Sequence, residues 1–264
     1  MHKRGALVKI SFNILFKLIK YGLNIHSFRI RNSLCFFDFY PYGILTIFAG
    51  MNKEELKEKY GKKRVPHQWR GTDFVSAQIC TFFGSGMSPK APGTMGSLAA
   101  AIVAYPIYKF AFCVGVHFYD GSLLGSIITF CCDNIFAILA VISFFAPIPF
   151  VNKAMRDTKT EDPGWIVIDE VCGVWTALAL VEAVTPWWDI ASPIEGPIFL
   201  LVTFGIFRFF DILKPLGIHK FEKFPGAWGV MADDLLGGIY TGITIIVLTY
   251  LVAIADFFVH PLHP

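Results

Sequence analysis

From Ser97 onward, long apolar runs alternate with short polar joints. A hydrocarbon core takes about 20 helical residues per crossing, and the pattern predicts five crossings, at 97–114, 128–150, 164–184, 197–213 and 230–255. Asp133 and Asn134 interrupt the second; if that helix ends near Lys153, the span starts at Asn134 and leaves Asp133 at an interface, where a charge is tolerated. Residues 1–72 follow another pattern. An amphipathic, basic segment from Lys3 to Lys20 precedes the apolar run Leu34 to Gly50, which contains Asp38. Two membrane-crossing helices would carry Lys9 and Lys17 inside the first of them, so a surface-lying helix followed by an interfacial or re-entrant segment is the preferred expectation. The predicted fold is therefore all-α: a polytopic membrane bundle of about five transmembrane helices over 73–264, with an N-terminal amphipathic, interfacial extension over 1–72. No small-residue cleavage site follows Ala6 to Ile19, so a cleavable signal peptide is not expected.

The joints sort by charge. Lys53 to Arg70 with Lys90, Lys153 to Lys159, and Lys214 to Lys223 are basic, whereas His117 to Ser122, Pro186 to Glu195 and Asp256 to Pro264 contain no Lys or Arg. Basic and non-basic ends alternate as five crossings require, and the basic side is expected to face the cytoplasm, leaving the C-terminus outside. Lys53 to Arg70 itself reads as a solvated linker.

Composition agrees with a membrane chain: of 264 residues, 55% are apolar and 16% charged. That charged fraction is below the quarter or so of soluble domains. A net charge of +3 gives no electrostatic case for nucleic acid as a partner. The six cysteines lie in apolar stretches without a CxxC pair, which reads as packing and not as zinc binding.

Three polar clusters break into the apolar sequence, all at predicted cytoplasmic ends. Gly84 to Ser97 reads GSGMSPKAPGTMGS and leads into a helix. Glycines admit close approach to a ligand, and free N–H groups at a helix start favour an anion such as phosphate. Lys90 offers a point charge, and Thr94 and Ser97 offer hydroxyls or a cap; an ordinary turn entering a membrane helix would look similar. Glu161 to Glu170 reads EDPGWIVIDE, with Asp162 placed to cap a helix that starts at Pro163, and Asp169 about two turns or 10 Å further on the same face. Adjacent Asp169 and Glu170 after an apolar run are costly, at about 2.5 to 3.5 kcal/mol for a mid-membrane acid. In the third, FRFFDILKPL spaces Arg208, Asp211 and Lys214 three apart, and GAWGVMADDLLGG brings Asp233 and Asp234 to the start of the last crossing. Simple pairing of Arg208 or Lys214 with Asp211 leaves too many acids unexplained.

Asp162, Asp169, Glu170, Asp211, Asp233 and Asp234 outnumber Lys90, Arg208 and Lys214 by three charges. Crowded carboxylates must bind protons or cations. Hard oxygen donors without Cys or His point to Mg²⁺, with Mn²⁺ the alternative, and not to zinc, and so to metal-assisted phosphoryl chemistry.

These residues closely resemble the phosphatidylglycerophosphatase A family over about 73–255, in three ordered blocks: FGSGMSPKAPGTMGSLAA, DPGWIVIDEVCGVW and FRFFDILKPLGIHKFEKFPGAWGVMADDLLGG. The resemblance implies a multi-span enzyme of the bacterial cytoplasmic membrane, its site facing the cytoplasm. It also implies Mg²⁺-dependent hydrolysis of phosphatidylglycerophosphate to phosphatidylglycerol and phosphate. It places Asp162, Asp169, Glu170, Asp211, Asp233 and Asp234 on the family's acidic positions and Arg208 and Lys214 on its basic ones. The expected metal ligands are Asp169, Glu170, Asp233 and Asp234, with Asp162 a further candidate. Lys90, Thr94, Ser97, Arg208 and Lys214 are expected to bind substrate, and Asp169, Glu170, Asp211 and Asp233 to take part in catalysis. Direct attack by water and a covalent aspartyl-phosphate on Asp169 or Asp211 both stay open. The DxDx[TV] signature of soluble phosphatases is absent, as is the DGxxAR…GxxxD spacing of phosphatidyltransferases. An ion- or proton-coupled transporter, the other class considered, predicts charges near mid-bilayer, whereas these gather at one side.

Overall fold

A computed structural model of the chain describes residues 69–161, 163–184, 195–214 and 224–259. Most of the N-terminal extension, Asp162 and the C-terminal histidines lie outside them. The described residues are helical, with no strand. A 3₁₀ turn at Trp69–Gly71 precedes α1 (Phe74–Cys80), and a second at Ser85–Met87 precedes α2 (Pro92–His117). There follow α3 (Leu123–Asp133), α4 (Ile135–Phe145), α5 (Ile148–Thr158), α6 (Ile168–Glu182), α7 (Glu195–Leu213) and α8 (Ala227–Val259).

Among the described residues, four stretches are long and apolar enough to cross a membrane: Pro92–His117, Ile135–Thr158, Gly196–Leu213 and Ala227–Val252. The second runs through α4 and α5 and begins just after Asn134, where the helix breaks, so Asp133 stands ahead of the span as expected. The predicted crossing at 164–184 differs. Its helix, α6, has only 15 residues and starts at Ile168, with Val167 and not Asp162 in the cap position. Trp165, Ile166 and Val167 are buried without being helical, because the Val167 N–H donates to the Cys80 carbonyl at 2.8 Å and ties this strip to the end of α1. At about 1.5 Å per residue, α6 is roughly 22 Å long, shorter than a full hydrocarbon core. It is nonetheless the centre of the bundle, buried on nearly every side and packed by α2, α4, α7 and α8. At its far end Glu182 accepts the N–H of Phe136 at 3.1 Å, at the start of α4.

The tightest packing joins α6 to α8. A Cβ on Gly238 would overlap the Gly173 carbonyl oxygen and lie 2.9 Å from its carbonyl carbon, and one on Gly173 would meet the Asp234 carbonyl at 2.6 Å. Small residues at helix crossings are the usual means of close approach in membranes, where apolar burial from water does not drive association. At the same end, α5 ties loops together. Asn152 Oδ1 accepts the Ala227 N–H at 3.0 Å and caps α8, while Lys153 pairs with Asp73 at 2.5 Å, holding that carboxyl below the usual carboxylate range. Asp73 in turn caps α1 through the Ser76 N–H at 3.2 Å.

Candidate active site

The start of α2, the start of α6, the end of α7 and the second turn of α8 meet at one end of the bundle, and the three polar clusters of the sequence meet with them. Asp169 and Glu170 occupy the first turn of α6, and Asp234 lies across the glycine crossing on α8. All three are buried, and a carboxylate oxygen from each lies within 4.8 Å of the others. Three buried carboxylates so close cannot all stay ionised without a compensating cation, and the donor set is all oxygen, so the residues fit a hard divalent metal ion.

The basic residues hold the rim. Arg208 Nη1 lies 2.5 Å from Asp211 Oδ2 and 4.0 Å from Glu170 Oε1, and donates to Ser97 Oγ at 3.4 Å. Its Nε is buried and has no hydrogen-bond partner among the described residues. Lys214 Nζ donates to Asp233 Oδ2 at 2.5 Å from a left-handed residue (φ 42°) just past the end of α7. Charge pairing at this range is strong where water is scarce.

The predicted residues therefore divide. Asp169, Glu170 and Asp234 converge. Asp233, expected among the metal ligands, is buried beside them and held by Lys214, while Asp211 is held by Arg208. Ser97 lies within α2, not at its cap, fully buried and donating to the Gly93 carbonyl at 2.8 Å. Thr94, also expected as a cap, is half-buried in the first turn of the same helix. Lys90 is exposed in the turn ahead of α2, its carbonyl accepting from Ser88 Oγ at 2.8 Å. Asp162 falls outside the described residues; the helix start expected of it lies at Ile168.

Two contributors escaped the sequence reading. Gly93 touches the cluster directly, since a Cβ there would overlap Glu170 Oε1 and lie 3.3 Å from Arg208 Nη1. Its place in a Gly-rich stretch was the available signal. Asn152, which caps the helix carrying Asp233 and Asp234, sits in an amphipathic segment with no local signal at all.

Fold and site together define a helical membrane protein with a buried carboxylate cluster able to hold a metal ion and basic side chains suited to an anion. The sequence profile of the phosphatidylglycerophosphatase A family matches residues 78–249, which takes in the helices of the described residues apart from the start of α1 and the end of α8, and the chain belongs to that family. Three bacterial relatives are similar. A Bacteroides thetaiotaomicron protein provisionally named a phosphatidylinositol-3-phosphatase is 37% identical over 179 residues, covering 68% of this chain and 96% of its own. Phosphatidylglycerophosphatase A of Haemophilus influenzae is 34% identical over 169 residues, covering 64% and 85% respectively. Phosphatidylglycerophosphatase A of Escherichia coli is 28% identical over 158 residues, covering 60% and 73%. No solved structure matches the chain. The chain is thus a phosphatase.

Proposed function

We propose that this phosphatase removes the terminal phosphate of phosphatidylglycerophosphate, with Mg²⁺ held by Asp169, Glu170 and Asp234, at the cytoplasmic face of the bacterial inner membrane. The observation that carries the reading is the convergence of those three carboxylates beneath Arg208 and Lys214. The names of the relatives from Haemophilus influenzae and Escherichia coli support the substrate. The basic joints around this end of the bundle support the cytoplasmic placement. When bound, the ion supplies positive charge to a site whose own acids would otherwise repel a phosphate dianion.

The side chains divide the remaining work. Arg208, oriented by Asp211 and Ser97, presents its buried Nε and its Nη groups to phosphate oxygens; Lys214, oriented by Asp233, adds a second charge. Lys90 and Thr94, in the turn and first helical residues ahead of Ser97, meet the phosphate from the α2 side. Asp211 is committed to Arg208, so it acts as a positioning residue and not as a nucleophile. Proton transfer from an attacking water then falls to the α6 carboxylates, Asp169 first.

The name of the relative at 37% identity favours a second reading, in which the headgroup is a phosphoinositide. Phosphate release by detergent-purified protein, measured side by side on phosphatidylglycerophosphate and phosphatidylinositol 3-phosphate, separates the two. The proposal expects kcat/KM at least about tenfold higher on the first, about 1.4 kcal/mol of discrimination. Preference for the phosphoinositide would transfer the site to the second reading.

A further inference from the structure

The stretch between Asp73 and Gly84 lies outside the four long apolar helices, yet its polarity is inverted for a surface in water. In α1 the buried face is formed by Ser76, Ala77 and Cys80, small or weakly polar side chains at i, i+1 and i+4, packed toward α5. The opposite face carries Phe74, 77% exposed, and the exposed Val75. The turn that follows repeats the arrangement. Phe82 packs edge-on against Trp175 with ring centroids 5.7 Å apart, while Phe83 is 83% exposed.

Both phenylalanines are left-handed (φ 45° and 55°) ahead of Gly84 (φ 94°), a conformation that bulky residues adopt only when their surroundings enforce it. The enforcement is a net of hydrogen bonds. The Phe83 N–H donates to the Gln78 carbonyl and the Gly86 N–H to the Thr81 carbonyl, both at 2.9 Å; Thr81 Oγ1 donates to the Ala77 carbonyl at 2.6 Å and accepts from the Gly84 N–H at 3.0 Å. Strain and hydrogen bonding together fix an aromatic ring outward, immediately before the Gly84–Ala91 turn that leads into α2 at the active site.

Water has no favourable contact to offer such a patch, whereas a bilayer interface favours aromatic rings at headgroup level. The surroundings match a lipid surface in two ways. Arg70, Lys90, Lys153, Arg156 and Lys159 are exposed on segments flanking the patch and outnumber the exposed acids there, Asp73, Asp157 and Glu161, a net basic frame that suits anionic headgroups. The chain then continues into the exposed apolar face of α2 at Met95, Ile102 and Val103.

We infer that α1 and the Phe82–Phe83 turn form an interfacial wedge whose partner is the lipid bilayer: Phe74, Val75 and Phe83 sink into the leaflet beside the active site. The Gly84–Ala91 turn, and with it the start of α2, is thereby held at headgroup depth, where a phospholipid's terminal phosphate lies, without removing the lipid from the membrane. The wedge is independent of which phosphate ester is cleaved.

The test uses the full chain reconstituted in vesicles of phosphatidylcholine and phosphatidylglycerol, with Phe83→Trp and, separately, Phe74→Trp. Both substitutions are conservative and on exposed positions, and either alone decides the question if the other fails to fold. Lipids brominated near the headgroup end of the acyl chain are expected to quench the fluorescence added by each new tryptophan severalfold more than aqueous acrylamide does. Ready quenching by acrylamide would place the patch in water and overturn the wedge. Protection from both quenchers would overturn it too, by showing that residues 1–68 or a second copy of the chain cover the patch. No substrate enters the measurement, so its outcome stands apart from the proposed reaction.

Discussion

One nitrogen of Arg208 reaches Asp211, Ser97 and Glu170, while its Nε stays buried without an acceptor among the described residues. A lysine retains the charge and loses the fork, so Arg208→Lys is expected to behave as a disruptive change, lowering kcat/KM by about 10²-fold. Near-normal activity on phosphatidylglycerophosphate would remove Arg208 from phosphate binding. Gly93→Ala tests the same corner sterically: the new methyl group displaces the Glu170 carboxylate from its neighbours. A misplacement of about 1 Å near the reacting atoms can cost about 10²-fold in rate. The expected result is that loss in kcat with thermal stability in detergent close to wild type. The acids that converge here were readable from charge alone, because acids in apolar runs demand a reason. Their pairing was not. Asp233 and Asp234 are adjacent and chemically identical, and only the packing of α8 decides that Asp234 joins Asp169 and Glu170 while Asp233 turns to Lys214.

That packing is a property of elements. Gly238 and Gly173 let α6 and α8 touch backbone to backbone, and the contact sets the distance between Asp234 and the acids of α6. Gly238→Ala forces a methyl group into the Gly173 backbone, where no flexible side chain can yield. Overpacking of this kind costs about 1–3 kcal/mol, so a lowered Tm in detergent should accompany the loss of activity; an unchanged Tm would mean that the helices are not in such close contact. Asn152 offers a gentler perturbation of α8. Asn152→Asp keeps the acceptor for the Ala227 N–H and should be tolerated, whereas Asn152→Leu removes it and should cost about 1 kcal/mol. Among the elements, the break at Asn134 followed from its polar neighbours in an apolar run. The late start of α6 did not, because Asp162 and Pro163 carry a strong local helix-start signal that the backbone bond from Val167 to Cys80 overrides.

At the scale of the whole molecule, the acids and the bases that answer them gather at one end of the bundle, and the opposite end holds His117, Asp120 and the Glu182 cap of α4. The first end is the one proposed to face the cytoplasm. A cysteine introduced at Lys159 should therefore react with a membrane-impermeant maleimide only after cells are opened, and one at Asp120 should react in intact cells, each read against the native cysteines as background. Labelling of both from one side would contradict the crossing pattern. The central claim, however, is that Asp169, Glu170 and Asp234 together bind the metal ion that makes this membrane site a phosphatase. Its most direct measurement is phosphate release from phosphatidylglycerophosphate by purified protein titrated with Mg²⁺, comparing wild type with Asp234→Asn. The account predicts Mg²⁺-dependent turnover in the wild type, and in the variant a loss of about 10² or more in kcat/KM with a higher Mg²⁺ requirement. Full activity of the variant at the same Mg²⁺ concentration, or wild-type turnover indifferent to Mg²⁺ and its chelation, would contradict it.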